Sequence, residues 1–196
     1  MVRGLRVLRP RSRDEIEEVA WRAREGLGLA PFDKVPVATI LENVLPELIE
    51  GYEFRVADAG KLLGAEAITD GHAPIITFDE QAYGGLYRDS PRPRMTGAHE
   101  LGHLLLHTGQ TGLPFIAKRD RRADLEHEAD VFAEAFLMPE CAFRQVRSIT
   151  EAMRRFGVSR DAACYRARTL RMKWLIRGKG APKRQKQKGY GKRRTP

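Results

Sequence analysis

His99 and His103 stand four residues apart, and Glu100 adjoins the first of them. On a helix, positions four apart share one face a turn from each other, so both imidazoles can reach one tetrahedral ion. The Glu100 carboxylate then sits beside the ion's water, where it can act as general base. A catalytic zinc centre needs three protein ligands and one open position, so Zn2+ is the expected cofactor. Such an ion acidifies a water and polarises a carbonyl, and the chemistry this pattern points to is hydrolysis of a peptide bond. Thr96-Gly97-Ala98 before the pattern and Leu104-Leu105-Leu106 after it are uncharged, as a buried active-site helix requires. Gly102 costs such a helix about 1 kcal/mol against Ala, so the close approach of a strand or of substrate is expected there. The competing explanation is an amphipathic core helix that merely carries two histidines.

The third ligand must come from elsewhere. Asp124, Glu126, His127, Glu128, Asp130 and Glu134 crowd the next helical stretch. Leu125, Glu128, Phe132 and Ala135 are spaced by three and four, which sets Glu128 on an apolar stripe and turns Glu126 and Glu134 towards more polar faces. A carboxylate on an apolar face is costly without a partner charge. Zinc would be that partner; the alternative is a buried salt bridge. His107 continues the 99–103 face one turn further on, and on this geometry it supports the site rather than binding the ion. A donor to the tetrahedral oxyanion is also needed. Tyr83, Tyr87, Arg94 and His127 are candidates, with none preferred.

The elements that position these residues follow from pattern and punctuation. Ser12 to Leu27 reads as a helix, with Ser12 as cap and four acidic residues in its early turns. Val35 to Ile49 reads as a second helix, interrupted at Pro46. Glu53–Ala57, Ala65–Ile68 and Ala73–Phe78 read as strands, the last two joined through the turn signal Asp70-Gly71. Ala73–Phe78 is either an edge strand able to pair with an extended substrate or an ordinary core strand. Pro91 and Pro93 are expected to break the chain before a helix from about Met95 to His107. A loop at Gly109–Pro114 and a helix from about Arg121 to Met138 follow. Ile149–Phe156, Gly157-Val158-Ser159 and Arg160–Met172 have the form of a helix-turn-helix.

Composition narrows the function classes. Hydrophobic residues make up 42% of the 196, enough for a globular core. No apolar run approaches the roughly 20 residues of a membrane span, and the basic start, Met1 to Arg13, lacks the apolar stretch of a secretory signal. Cys141 and Cys164 are the only cysteines, too few for a disulfide framework, so a cytoplasmic location is expected. The net charge of +9 is uneven. Nine Lys or Arg and no acid lie between Arg177 and Pro196, whereas residues 1–176 carry 26 of each sign. Any nucleic-acid contact argued from charge therefore rests on this tail, read as disordered beyond Gly178.

From Arg94 to His107 and from Glu128 to Pro139 the sequence resembles the ImmA/IrrE family of metallopeptidases, whose members look like "RFTxAHELGHLLLH" followed by "EANxFAxxLLMP". The resemblance extends over roughly residues 15–172 and is specific over 94–139. It implies His99, His103 and Glu128 as zinc ligands and Glu100 as catalytic base. The departures are Met95 for Phe, Asp130 for Asn and Phe136 for Leu. It also implies a protein substrate, typically a partner Xre-type repressor, or an antitoxin. The expected fold class is α+β: a zincin-like metallopeptidase with an HExxH active-site helix, a small β-sheet and a C-terminal helix-turn-helix-like segment. The expected division is 1–147 for the peptidase domain, 148–176 for the helical segment packed on it, and 177–196 for the tail. The second reading is a DNA-binding regulator, or a toxin–antitoxin partner, whose zinc site is structural or vestigial.

Overall fold

A computed structural model describes residues 10–108 and 119–177, without the side chains of 119–122. The expected loop at Gly109–Pro114, the residues before Pro10 and the stretch from Gly178 onward lie outside the described residues. The architecture is mixed α+β, rich in helix, with one three-stranded sheet.

Helix α1 (Arg13–Gly26) starts where Ser12 dictates. The Ser12 side chain accepts from the Glu15 amide while the Glu15 carboxylate accepts from the Ser12 amide, a reciprocal capping box. Next come α2 (Val37–Thr39), a π-helical turn at Ile40–Val44 and α3 (Leu45–Leu48). The expected interruption at Pro46 is instead a widened helix. Proline has no amide hydrogen and its ring crowds the carbonyl four residues back. The preceding turn is wider, and the Leu45 amide reaches back five residues to the Ile40 carbonyl.

Strands β1 (Glu53–Ala57), β2 (Ala67–Thr69) and β3 (Ile75–Asp79) form a sheet in the order β1-β3-β2. β3 pairs parallel with β1 and antiparallel with β2, so it is the central strand. Of the two readings of Ala73–Phe78 the core strand holds, because both its edges are paired. Among the described residues β1 and β2 each pair on one side only, and β2 is the edge strand that packs on α5.

Helix α4 (Glu80–Tyr87), unforeseen in the sequence, is capped by Asp79, whose side chain accepts from the Gln81 amide. Helix α5 (Pro91–His107) begins four residues earlier than expected. Pro91 and Pro93 start it rather than break the chain before it, because first-turn positions need no amide donor. Helix α6 (Arg119–Leu137) packs along α5, and α1 packs on α6. Short α7 (Glu140–Phe143) leads to α8 (Ile149–Phe156), α9 (Arg160–Thr169) and α10 (Lys173–Ile176). Gly157 takes the left-handed conformation (φ 64°) that ends α8, and Ser159 caps α9. α9 stops at Thr169, earlier than the expected Met172.

One hydrophobic core runs from Ile16 of α1 to Leu175 of α10. Buried arginines fasten its parts. Arg94 of α5 donates to the carbonyls of Val35, Phe156 and Gly157. Arg166 of α9 donates to the Met138 carbonyl and, through two nitrogens, to Glu17 of α1. Among the described residues no helix is long and apolar enough to cross a membrane.

Candidate metal centre

Gly102 sets the distance between the two helices that build the site. A Cβ there would lie 3.2 Å from the Cα and carbonyl oxygen of Ala129 and 3.1 Å from the Phe132 ring. The close approach expected at this glycine is thus made by helix α6, not by a strand or substrate. It brings the acidic face of α6 against the histidine face of α5.

His99 Nε2 and His103 Nε2 are 2.9 Å apart. The carboxylate that meets them belongs to Glu126, whose Oε2 is 3.3 Å from His99 Nε2 and 3.5 Å from His103 Nε2. Ligand atoms of these three side chains all lie within 4.8 Å of one another. Glu128, expected as the third ligand, points elsewhere. Its Oε1 accepts from the Arg11 amide at 2.9 Å, and its Oε2 accepts from Arg11 Nη1 at 2.9 Å and faces His107 Nε2 at 3.3 Å. Glu128 is buried, as its apolar stripe requires, at 4% exposure. Of the two partners expected for it, zinc or a salt bridge, the structure shows the salt bridge. The compensating charge comes from Arg11, 117 residues away, while Glu126, the residue facing the histidines, is half exposed.

Each imidazole has a support. His99 Nδ1 is 2.9 Å from Asp130 Oδ1, and His103 Nδ1 is 3.0 Å from His107 Nδ1. Glu126 and Asp130, four apart like His99 and His103, form one acidic face. That matched spacing was the available signal, and burial outweighed it in the sequence reading.

Glu100 is buried, and its charge is felt by His99. Its carboxylate Oε2 accepts from Thr69 Oγ1 at 2.7 Å, and the same hydroxyl lies 3.0 Å from the Glu100 carbonyl. Thr69 ends strand β2, so the sheet orients this carboxylate. Burial raises the Glu100 pKa, and the Thr69 hydrogen bond and the His99 charge only partly offset it. A carboxyl so raised is a stronger base than a solvated one. Burial, with the charge of His99, pushes His103 down to about 4, which leaves its lone pair available at neutral pH. At His99 burial opposes protonation, but Asp130, Glu100 and Glu126 outweigh it and raise the pKa.

The candidate oxyanion donors separate. Arg94 is fully buried and committed to carbonyls of other elements. Tyr83 and Tyr87 form a row of tilted ring contacts with Phe54 of β1, at the sheet edge opposite β2. His127 is exposed on α6, next to Glu126.

A helix-rich α+β body carrying two histidines, a facing carboxylate and a buried glutamate has the make-up of a metal-dependent hydrolase. A Mycobacterium tuberculosis transcriptional regulator of known structure shares the fold, with a TM-score of 0.55 at 19% identity over 78% of this chain. The match covers 46% of that regulator, so this chain spans under half its length. No curated protein matches the chain. Residues 87–168 match the family model Peptidase_M78, described as the IrrE N-terminal-like domain. This stretch, which holds α5 and α6 whole, is thus similar to the domain of the ImmA/IrrE metallopeptidases.

Proposed function

We propose that this chain is a zinc-dependent endopeptidase acting on a protein substrate, with His99, His103 and Glu126 as ligands and Glu100 as general base. The observation that carries the reading is the convergence of His99 Nε2, His103 Nε2 and Glu126 Oε2 beside the buried Glu100 carboxylate. Two imidazole nitrogens and one carboxylate oxygen suit zinc and leave a fourth position for water or substrate. Zinc, when bound, acidifies water and polarises the scissile carbonyl. Asp130 holds His99 in orientation, and Thr69 holds Glu100. Glu100 accepts the proton of the attacking water and returns it to the leaving amine. The open edge of β2 can take an extended substrate as an added strand, which would lie across the end of Glu100.

The family resemblance favours a partner repressor of the Xre type, or an antitoxin, as the substrate. Cytoplasmic location belongs to the same proposal; Cys141 and Cys164 are both unpaired. We assign residues 148–176 to a lobe that completes the peptidase core, since Arg166 and Arg94 tie it to α1 and α5. The test is Glu100→Gln. It should keep its zinc and lose cleavage of an Xre-type repressor that the wild type cleaves. Cleavage at the wild-type rate would transfer the base to another group or end the peptidase reading.

A second reading, nucleic-acid contact, has one specific support. Residues 144–177 hold ten Lys or Arg against two acids, Glu151 and Asp161. Arg160, Arg168, Arg171, Lys173 and Tyr165 are exposed around α9 and α10. The basic tail continues this charge. Such a surface would hold the enzyme near DNA-bound substrate by phosphate contacts.

A further inference from the structure

We propose that His107 and Glu128 are positioning residues that orient His103 through a chain of two hydrogen bonds, closed at its far end by Arg11. The inference rests on the ligand assignment above. A neutral imidazole carries one N–H, so the role of one nitrogen fixes the role of the other. His103 turns Nε2 towards His99 and Glu126, so Nε2 supplies the lone pair and Nδ1 carries the proton. That Nδ1 lies 3.0 Å from His107 Nδ1, which must then accept. The His107 proton is therefore on Nε2, and Nε2 faces Glu128 Oε2 at 3.3 Å. The carboxylate is the end acceptor. It is held by two donors from one residue, the Arg11 amide and guanidinium, at 2.9 Å each. Reversing the chain would set two lone pairs or two hydrogens against each other.

The placement of these groups fits a support rather than a surface contact. The His107 side chain is 11% exposed and that of Glu128 5%, so water competes little for either bond. Helix α5 brings His107 under His103 by its four-residue spacing, and packing of α6 on α5 delivers Glu128. Each proposed histidine ligand thus ends on an α6 carboxylate, His99 directly at Asp130 and His103 through His107. Arg11 immediately precedes the cap of α1, so the entry of the chain into its first helix is tied to the metal site. A carboxylate that is not a ligand can in this way still set metal affinity.

Partners of this kind typically change metal affinity by about 10- to 100-fold. Zinc affinity should be measured by chelator competition in the full-length chain. His107→Phe keeps the ring volume and removes the acceptor, and should weaken zinc by about that factor. His107→Asn, whose amide oxygen can take the acceptor position, should recover much of the loss. Glu128→Ala should weaken zinc similarly, and the double variant no further than either alone, because both break one chain. Nitrogen-15 imidazole spectra of the unsubstituted, zinc-free protein should show His103 protonated at Nδ1 and His107 at Nε2. The opposite tautomers, strictly additive losses or an indifferent His107→Phe would overturn the relay. Glu128→Ala losing zinc as completely as His99→Ala would instead make Glu128 a ligand. Wild-type protein that binds no zinc would overturn the ligand assignment itself.

Discussion

Two hydroxyl contacts of Thr69 settle how Glu100 is aimed. Thr69→Val keeps the shape of the side chain and removes the donor. A hydrogen bond to a charged group contributes about 1.5–3 kcal/mol, so kcat should fall about tenfold or more with zinc content unchanged. Steady-state rates beside elemental analysis check this, and a full rate would detach Thr69 from the base. Thr69 was not legible in the sequence, because nothing local tells which strand residue will meet a helix 31 positions later. The histidine pair and Glu100 were legible, since their relation is set within one helical turn. Glu128 shows where such reading leaves two answers open. Periodicity revealed that it is buried, but the identity of its partner depended on Arg11.

At the level of elements, capping residues were the reliable signs. Ser12 and Ser159 each cap the helix that follows, whereas the turn signal Asp70-Gly71 falls in a longer connection, because β3 starts only at Ile75. The prolines at 91 and 93 misled, because proline is both a breaker within a helix and a favoured starter in its first turn. The α5–α6 contact gives a prediction of its own. Gly102→Ala gains helix propensity, yet its methyl group meets the Ala129 backbone, which cannot rotate away. Overpacking of this kind costs about 1–3 kcal/mol. Denaturant unfolding should show a net loss of stability, and zinc affinity should fall with it because α6 carries Glu126. A more stable variant with unchanged affinity would mean that the helices separate freely.

Across the whole molecule, one ion pair joins the first helix to the ninth. Arg166→Met would remove the donor of the Met138 carbonyl and leave Glu17 with Arg13 alone, at a cost of about 1–3 kcal/mol, readable in urea unfolding. Burial raises the Glu17 pKa, but Arg166 and Arg13 outweigh it and hold the group below its ordinary value. Its contribution is therefore complete above the unfolded-state pKa of about 4.3 and is lost as pH falls through the lower folded value. The melting temperature of Glu17→Gln should accordingly depend less on pH in that acid range than that of the wild type. Charge segregation makes a separate prediction. A chain ending at Ile176 should cleave free repressor at the full rate and bind DNA more weakly at low salt. Affinity that does not change on truncation would assign the contact to the basic face of α9. The longer helices α1, α5, α6, α8 and α9 were legible from pattern and short α4, α7 and α10 were not, whereas the docking of α9 on α1 depended on a pairing across 149 positions. The central claim is the metal centre, and anomalous diffraction at the zinc edge from zinc-loaded crystals tests it most directly. One ion per chain is expected, about 2.0–2.2 Å from His99 Nε2, His103 Nε2 and a Glu126 carboxylate oxygen. An ion bound through Glu128, or no ion at the histidine pair, would contradict it.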